Sequence, residues 1–222
     1  MKSRFIGCCL AAAGLALLPF AASAQTTSVG VGFGTQGANV ELGYQVNDTW
    51  GLRLSTNYFR FGDDTDIDNI HYRGAANLFS TGLLGDFYFN PDNGFRVTGG
   101  LYYNENSARV YARPTGSVTI GSGTYTQAQV GTLAGRVTYR RWAPYAGIGY
   151  STNHNQPGLG FTGDLGVMFQ GSPRVRLTSS GTGRNVTGYA ANLEQERLQL
   201  QDDASDWTEY FPVARIGIVY RF

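Results

Sequence analysis

At 222 residues the chain is long enough for one domain of moderate size. Glycine supplies 31 residues and the aromatics 14%, while charged side chains make up only 15%, well short of the roughly one quarter that coats a water-soluble domain. A charge-coated helical protein is excluded. So is a nucleic-acid binder, because setting aside Lys2 and Arg4 leaves 15 arginines against 16 acids, a balance of −1.

Residues 1–24 are built like a secretory signal: Lys2 and Arg4 at the start, an apolar run over 5–20, then Ala22-Ser23-Ala24. This predicts cleavage before Gln25 and a single domain over 25–222. The apolar run is too short for a spanning helix, which needs roughly 20 residues. Cys8 and Cys9, the only cysteines, fall inside the leader, so no disulfide, metal or cofactor is expected in the exported chain.

From there the chain reads as strands. Val40, Leu42 and Tyr44 alternate with Glu41 and Gly43, and Leu52 and Leu54 with Arg53 and Ser55. Phe95 to Tyr103, Phe161 to Phe169 and Tyr210 to Phe222 repeat the pattern, each with one uncharged face rich in apolar and aromatic residues. The opposite faces carry isolated charges among glycines and hydroxyls, which suits a narrow interior; the apolar faces suit a bilayer, where strands must close on themselves to pair their backbones. Strands are predicted over 27–34, 37–46, 50–61, 72–90, 94–112, 132–151, 158–172 and 207–222. Short links rich in Asn, Gly and Pro at 47–49, 90–94 and 152–158 alternate with longer ones at 62–71, 113–131 and 172–206. Thr35 and Gln36 would make an unusually short outer connection. Within the long links, residues 119–126 read as a small hairpin, and 189–203 as one short helix in which Glu194 pairs with Arg197, acting as an ordinary loop helix or as a lid. The fold class is therefore all-β: an eight-stranded antiparallel transmembrane β-barrel with one short loop helix.

The face assignment sends Glu41, Asp86 and Asp164 inward together with Arg53, Arg96, Arg215 and Arg221. They form either a paired network that plugs the lumen or a lining for a charged solute. Asp63, Asp64, Asp66 and Asp68 form an acidic cluster in an outer loop. It opens like a calcium loop but has Asn69 at the glycine position and Ala75 at the closing glutamate, so it reads as solvated. Arg60, Arg73, Arg140 and Arg141 lie near the outer strand ends, facing lipopolysaccharide phosphates or nothing. His71 and His154 sit beside no activated serine and in no metal spacing, so catalytic residues are expected to be none.

The stretch Ala143-Pro144-Tyr145-Ala146-Gly147-Ile148-Gly149-Tyr150, the segment from Phe161 to Thr178, and the close Phe211-Pro212-Val213-Ala214-Arg215-Ile216-Gly217-Ile218-Val219-Tyr220-Arg221-Phe222 resemble the CarO-type small outer membrane barrels. The resemblance implies an outer membrane channel for small basic amino acids. The combined expectation is a monomeric barrel in the outer membrane of a Gram-negative bacterium, in contact with outer membrane lipid and lipopolysaccharide, passing small solutes; the alternative is a closed structural or surface-interaction barrel.

Overall fold

The computed structural model describes residues 26–67, 70–90 and 93–222. The expected leader and cleavage position lie outside the described residues, as do Asp68 of the acidic cluster, the neighbouring Asn69, and Pro91 and Asp92 of one short link.

The chain begins with β1 (Thr27–Gly34), β2 (Gly37–Gln45), β3 (Trp50–Ile67), β4 (Ile70–Tyr88), β5 (Phe95–Asn104) and β6 (Ser107–Pro114). A hairpin of β7 (Val118–Ile120) and β8 (Gly123–Tyr125), one helical turn α1 (Gln127–Val130) and β9 (Leu133–Thr138) follow. The chain continues through β10 (Trp142–Ser151), β11 (Gly158–Phe169), β12 (Arg174–Ser179), the helix α2 (Tyr189–Thr208) and β13 (Tyr210–Arg221). Strands β1, β2, β3, β4, β5, β10, β11 and β13 pair antiparallel in that order, and β13 returns to β1. The ring therefore holds eight strands, as the alternation implies, and the two-residue β1–β2 link is real.

Four predicted strands are longer or more divided than expected. Residues 62–71, read as a loop, continue β3 and β4 as a tall hairpin, because Gly62 to Ile67 pair with Ile70 to Ala75. The segments 94–112 and 132–151 each break in two, at 105–106 and 139–141, and residues 174–179, assigned to a loop, form β12. At these breaks the upper half of β4 exchanges its partner: residues 80–88 pair with β5 and 70–77 with β6. Strands β6, β9 and β12 then extend the wall of the barrel above the ring. Side-chain amides replace the lost ladder bonds, as buried backbone groups require. The Phe79 amide donates to Asn106 Oδ1 at 3.1 Å, and the Asn106 amide to Asn104 Oδ1 at 3.1 Å.

The helix is also longer than predicted, running to Thr208, and α1 adds a second, single-turn piece. Glu194 and Arg197 do pair, at 2.8 Å. The helix lies over β12, where Arg197 donates to the Val175 carbonyl, and its N-terminal end packs Tyr189 against Tyr125. Between it and the extended wall lies an apolar cavity of about 640 Å³ lined by Val110, Leu133, Val137, Val175 and Leu177.

Around the ring, apolar side chains face outward. Ile216 is 74% exposed, Phe161 66%, Leu83 61% and Leu165 60%. The end with short turns carries an aromatic girdle in which Trp50 meets Phe87 and Phe95 meets Tyr150; at the loop end Tyr103 meets Trp142 and Phe169 meets Tyr210. A continuous apolar band of this extent demands hydrocarbon around it. Replacing Ile216 by arginine should lower the folded yield in lipid vesicles by an amount matching about 2–4 kcal/mol, measured by the fraction that resists denaturation in sodium dodecyl sulfate before heating. In a water-soluble sandwich the same exposed change would be neutral.

Candidate functional site: the ionic cluster in the lumen

Every second residue of each ring strand turns inward, so one level of the barrel gathers a side chain from each strand. Arg96 on β5, Gly149 on β10, Asp164 on β11 and Arg215 on β13 are direct neighbours in register. Glu41 on β2, Arg53 on β3 and Asp86 on β4 approach the same level from the other side of the bore. All seven lumen residues named from the sequence are buried.

Six of them form one cluster. Arg53 reaches across the bore and bridges all three acids. Its Nε and Nη2 donate to Asp86 at 2.6 and 3.0 Å, Nη1 and Nη2 to Asp164 at 3.2 and 3.1 Å, and Nη1 to Glu41 at 3.2 Å. Arg215 Nη2 lies 2.7 Å from both Asp164 and Glu41, and its Nη1 donates to Ser55 at 2.8 Å. Arg96 Nη2 donates to Asp164 at 2.6 Å and to Thr162 at 3.1 Å, and its Nε sits 3.5 Å from Asp86. Thr98 completes Asp86 with a 2.6 Å hydrogen bond. Three guanidinium groups against three carboxylates leave no net charge. The planar forks of arginine allow this shared, partly bidentate pairing, which lysine could not reproduce.

Arg221 stands apart. It binds the Thr152 carbonyl at 3.0 Å and the Ser151 hydroxyl, at the end of the bore that carries the short turns. There the Tyr88 ring stacks on His154 at 4.4 Å, so His154, in the short link at 152–158, is a buried floor of the lumen. A cavity of about 40 Å³ separates this floor from the cluster, room for a few waters at most.

Above the cluster the bore is also filled. On one side Leu84, Tyr102, Ala143, Tyr145, Met168 and Val213 form an apolar core. On the other, Asn39 donates to Ser55 and Asn57 at 2.9 Å, Asn57 to Ser80 at 3.2 Å, and Gln36 to Ser80 at 3.1 Å. Gln36 thus turns the tight β1–β2 link into a stopper. At the mouth, Gln170 accepts from Asn104 and Asn106 and donates to the Thr208 carbonyl at 2.8 Å, tying the end of α2 to the rim. The sequence reading missed these layers, although Tyr102 and Met168 already stood on the inward rows.

Of the rim arginines, Arg73 lies near the loop end of β4, Arg60 lies within the lengthened β3 opposite Asn77, and Arg140 and Arg141 fall in the break between β9 and β10. The acidic segment, however, is strand rather than loop in its described part: Asp64 pairs with Arg73 at 3.0 Å, and that hydrogen bond holds its carboxyl below the usual range. His71 lies on β4 across from Arg113, at the opposite end of the barrel from His154.

Two substitutions test the cluster. Asp164→Ala leaves three arginines facing two acids and should cost about 3–5 kcal/mol, seen as a lower temperature for the heat-induced shift in gel migration. Arg221→Ala, outside the cluster, should cost much less. Gly149→Ala would set a methyl 2.6 Å from Asp164 Oδ1 and 2.8 Å from Arg96 Nε, atoms already locked by pairing, and should cost about 1–3 kcal/mol in the same assay. Wild-type stability in Gly149→Ala would mean that the cluster is looser than described.

No protein-family model matches the chain, and no curated protein sequence matches it. Solved structures do. CarO2 of Acinetobacter baumannii superposes with a TM-score of 0.58 at 21% identity, covering 89% of this chain and 98% of that one. CarO of Acinetobacter baumannii gives 0.56 at 22% identity, over 88% and 97%. The chain has the fold of the CarO-type eight-stranded β-barrels.

Proposed function

We propose that the chain is an outer membrane barrel of porin-like type, a narrow channel for small solutes that is shut in the described conformation. The apolar outer band and the two aromatic girdles support the membrane setting. In this reading the segment 1–24 directs export, and the barrel works as a monomer without catalysis. The carrying observation is the cluster centred on Arg53, which spans the bore from β2 and β3 to β11 and cancels its own charge. A solute passes only when these pairs part. Basic amino acids, which the resemblance implies, would meet as many guanidinium groups as carboxylates, so the bore favours small solutes carrying both charges over simple cations.

A second reading has an observation of its own. Asp164 receives donors from Arg53, Arg96 and Arg215 together, and so complete a satisfaction fits a permanent plug in a barrel that serves as a platform for its loop end. Planar bilayer recording separates the two. The channel reading expects rare, small conductance steps from the wild type and roughly tenfold more frequent opening when Arg53 and Asp164 are both replaced by alanine, since removing a donor and an acceptor together avoids an unpaired buried charge. Silence from both proteins, in insertions whose fold is checked by gel migration, would establish the sealed barrel instead.

A further inference from the structure

The polarity of the wall reverses at the loop-end girdle. On β4 the outward row runs Phe87, Gly85, Leu83, Thr81 and Phe79 up to the girdle, then Asn77, Ala75 and Arg73 above it, on the same face of one unbroken strand. The extension strands continue that face. Arg109 on β6, Arg136 on β9 and Arg176 on β12 are direct cross-strand neighbours, and Arg174 lies one step toward the ring beside Thr138. Meanwhile Val110, Leu133 and Val175 turn inward beneath α2. Where the ring is greasy outside and ionic inside, the extension is basic outside and greasy inside.

Like charges directly opposite one another on adjacent strands repel. Here three stand in a row, and among the described residues no ion pair or hydrogen bond is made by the guanidinium groups of Arg109, Arg136, Arg140, Arg141, Arg174 or Arg176; Asn104 and Thr138 reach only the backbone carbonyls of Arg140 and Arg174. Five of the six line an open cleft of about 760 Å³ whose lower edge is Trp142. Its single acid, Glu105, accepts a hydrogen bond from Tyr103 at 3.1 Å. Trp142 and Tyr103 pack edge to face and belong to the loop-end girdle, which sets the cleft at the depth where hydrocarbon gives way to polar headgroups. Guanidinium forks at this spacing suit multiply charged phosphate oxygens, each accepting two parallel hydrogen bonds.

We propose that this cleft binds the phosphates of a phosphorylated lipid headgroup in the leaflet around the loop end, of the lipopolysaccharide type. The inference rests on the outer membrane reading above. The anion supplies the counter-charge that the arginine row lacks, and the aromatic edge seats the lipid beside it.

The test uses the refolded full barrel in zwitterionic detergent, titrated with bisphosphorylated lipid A or with the same lipid after its phosphates are removed. The readout is the temperature of the gel-migration shift and the apparent affinity drawn from it. The phosphorylated lipid should stabilise the wild type, whereas the variant carrying Arg109→Gln, Arg136→Gln, Arg140→Gln and Arg141→Gln should bind it about tenfold or more weakly. Arg184→Gln, in the turn before α2, should behave as wild type. Without lipid the fourfold variant should melt at or above the wild-type temperature, because repulsion has been removed; this reversal of sign separates lost binding from lost folding. Equal responses to the two lipids, or equal losses from Arg184→Gln, would overturn the proposal. Millimolar inorganic phosphate should neither stabilise the protein nor displace the lipid; if it does both, the cleft is a soluble-anion site and the lipid assignment fails. Insertion into phosphatidylcholine vesicles is scored in parallel. Failure to insert would sink the membrane reading itself, whereas insertion without phosphate preference sinks only this inference.

Discussion

A β-strand has two faces, and the structure follows from what each of them must meet. Closing eight strands pairs every ring strand on both sides, which is the condition for standing in hydrocarbon, and it also creates an interior too narrow for water to solvate charge. Any ionic group that alternation sends inward must then find its counter-charge on another strand. Arg53 meets this demand by contacting three acids drawn from three strands, and Gly149, which contributes no side chain, leaves the space that Arg96 and Asp164 occupy. The filling of the bore is thus a direct result of its width and of the sign of the residues on its lining.

Much of this was legible from periodicity. The inward rows containing Glu41, Arg53, Asp86, Arg96, Asp164, Arg215 and Arg221 required nothing beyond a two-residue count, while their mix of signs left a paired network and a solute lining both open. What periodicity could not assign was which partners meet. Arg221 belongs to the same rows, yet lies too close to the turns to reach the cluster and takes backbone and hydroxyl partners instead. The counting also treats a strand as one object, so the breaks at 105–106 and 139–141 passed unnoticed: they preserve the alternation while changing the neighbour. The clue lay in polarity rather than period, since Phe95, Val97 and Leu101 give way to Arg109 and Arg113 on the same parity.

That exchange of polarity explains the two-storey build. The ring finds its apolar partner in the bilayer. The extension, standing in water, must supply its own, and α2 with the β7–β8 hairpin covers the inner face of β6, β9 and β12, where Ile120, Tyr125, Val130 and Tyr189 form a second core. A helix of low amphipathic character can do this because it is held at both ends by specific bonds: Tyr189 donates to Ser179 at 2.6 Å, and Thr208 accepts from Gln170.

The short link between β1 and β2 also shapes the rim. With only Thr35 and Gln36 between those strands, the wall there stops at the girdle, while β3 and β4 climb well past it. The inner side of the tall hairpin is left uncovered, with Phe61 56% exposed. The loop-end wall is consequently uneven, low where Thr35 and Gln36 join β1 to β2 and tall along β3 and β4, so the apolar inner side of that hairpin faces open space above the level of Gln36.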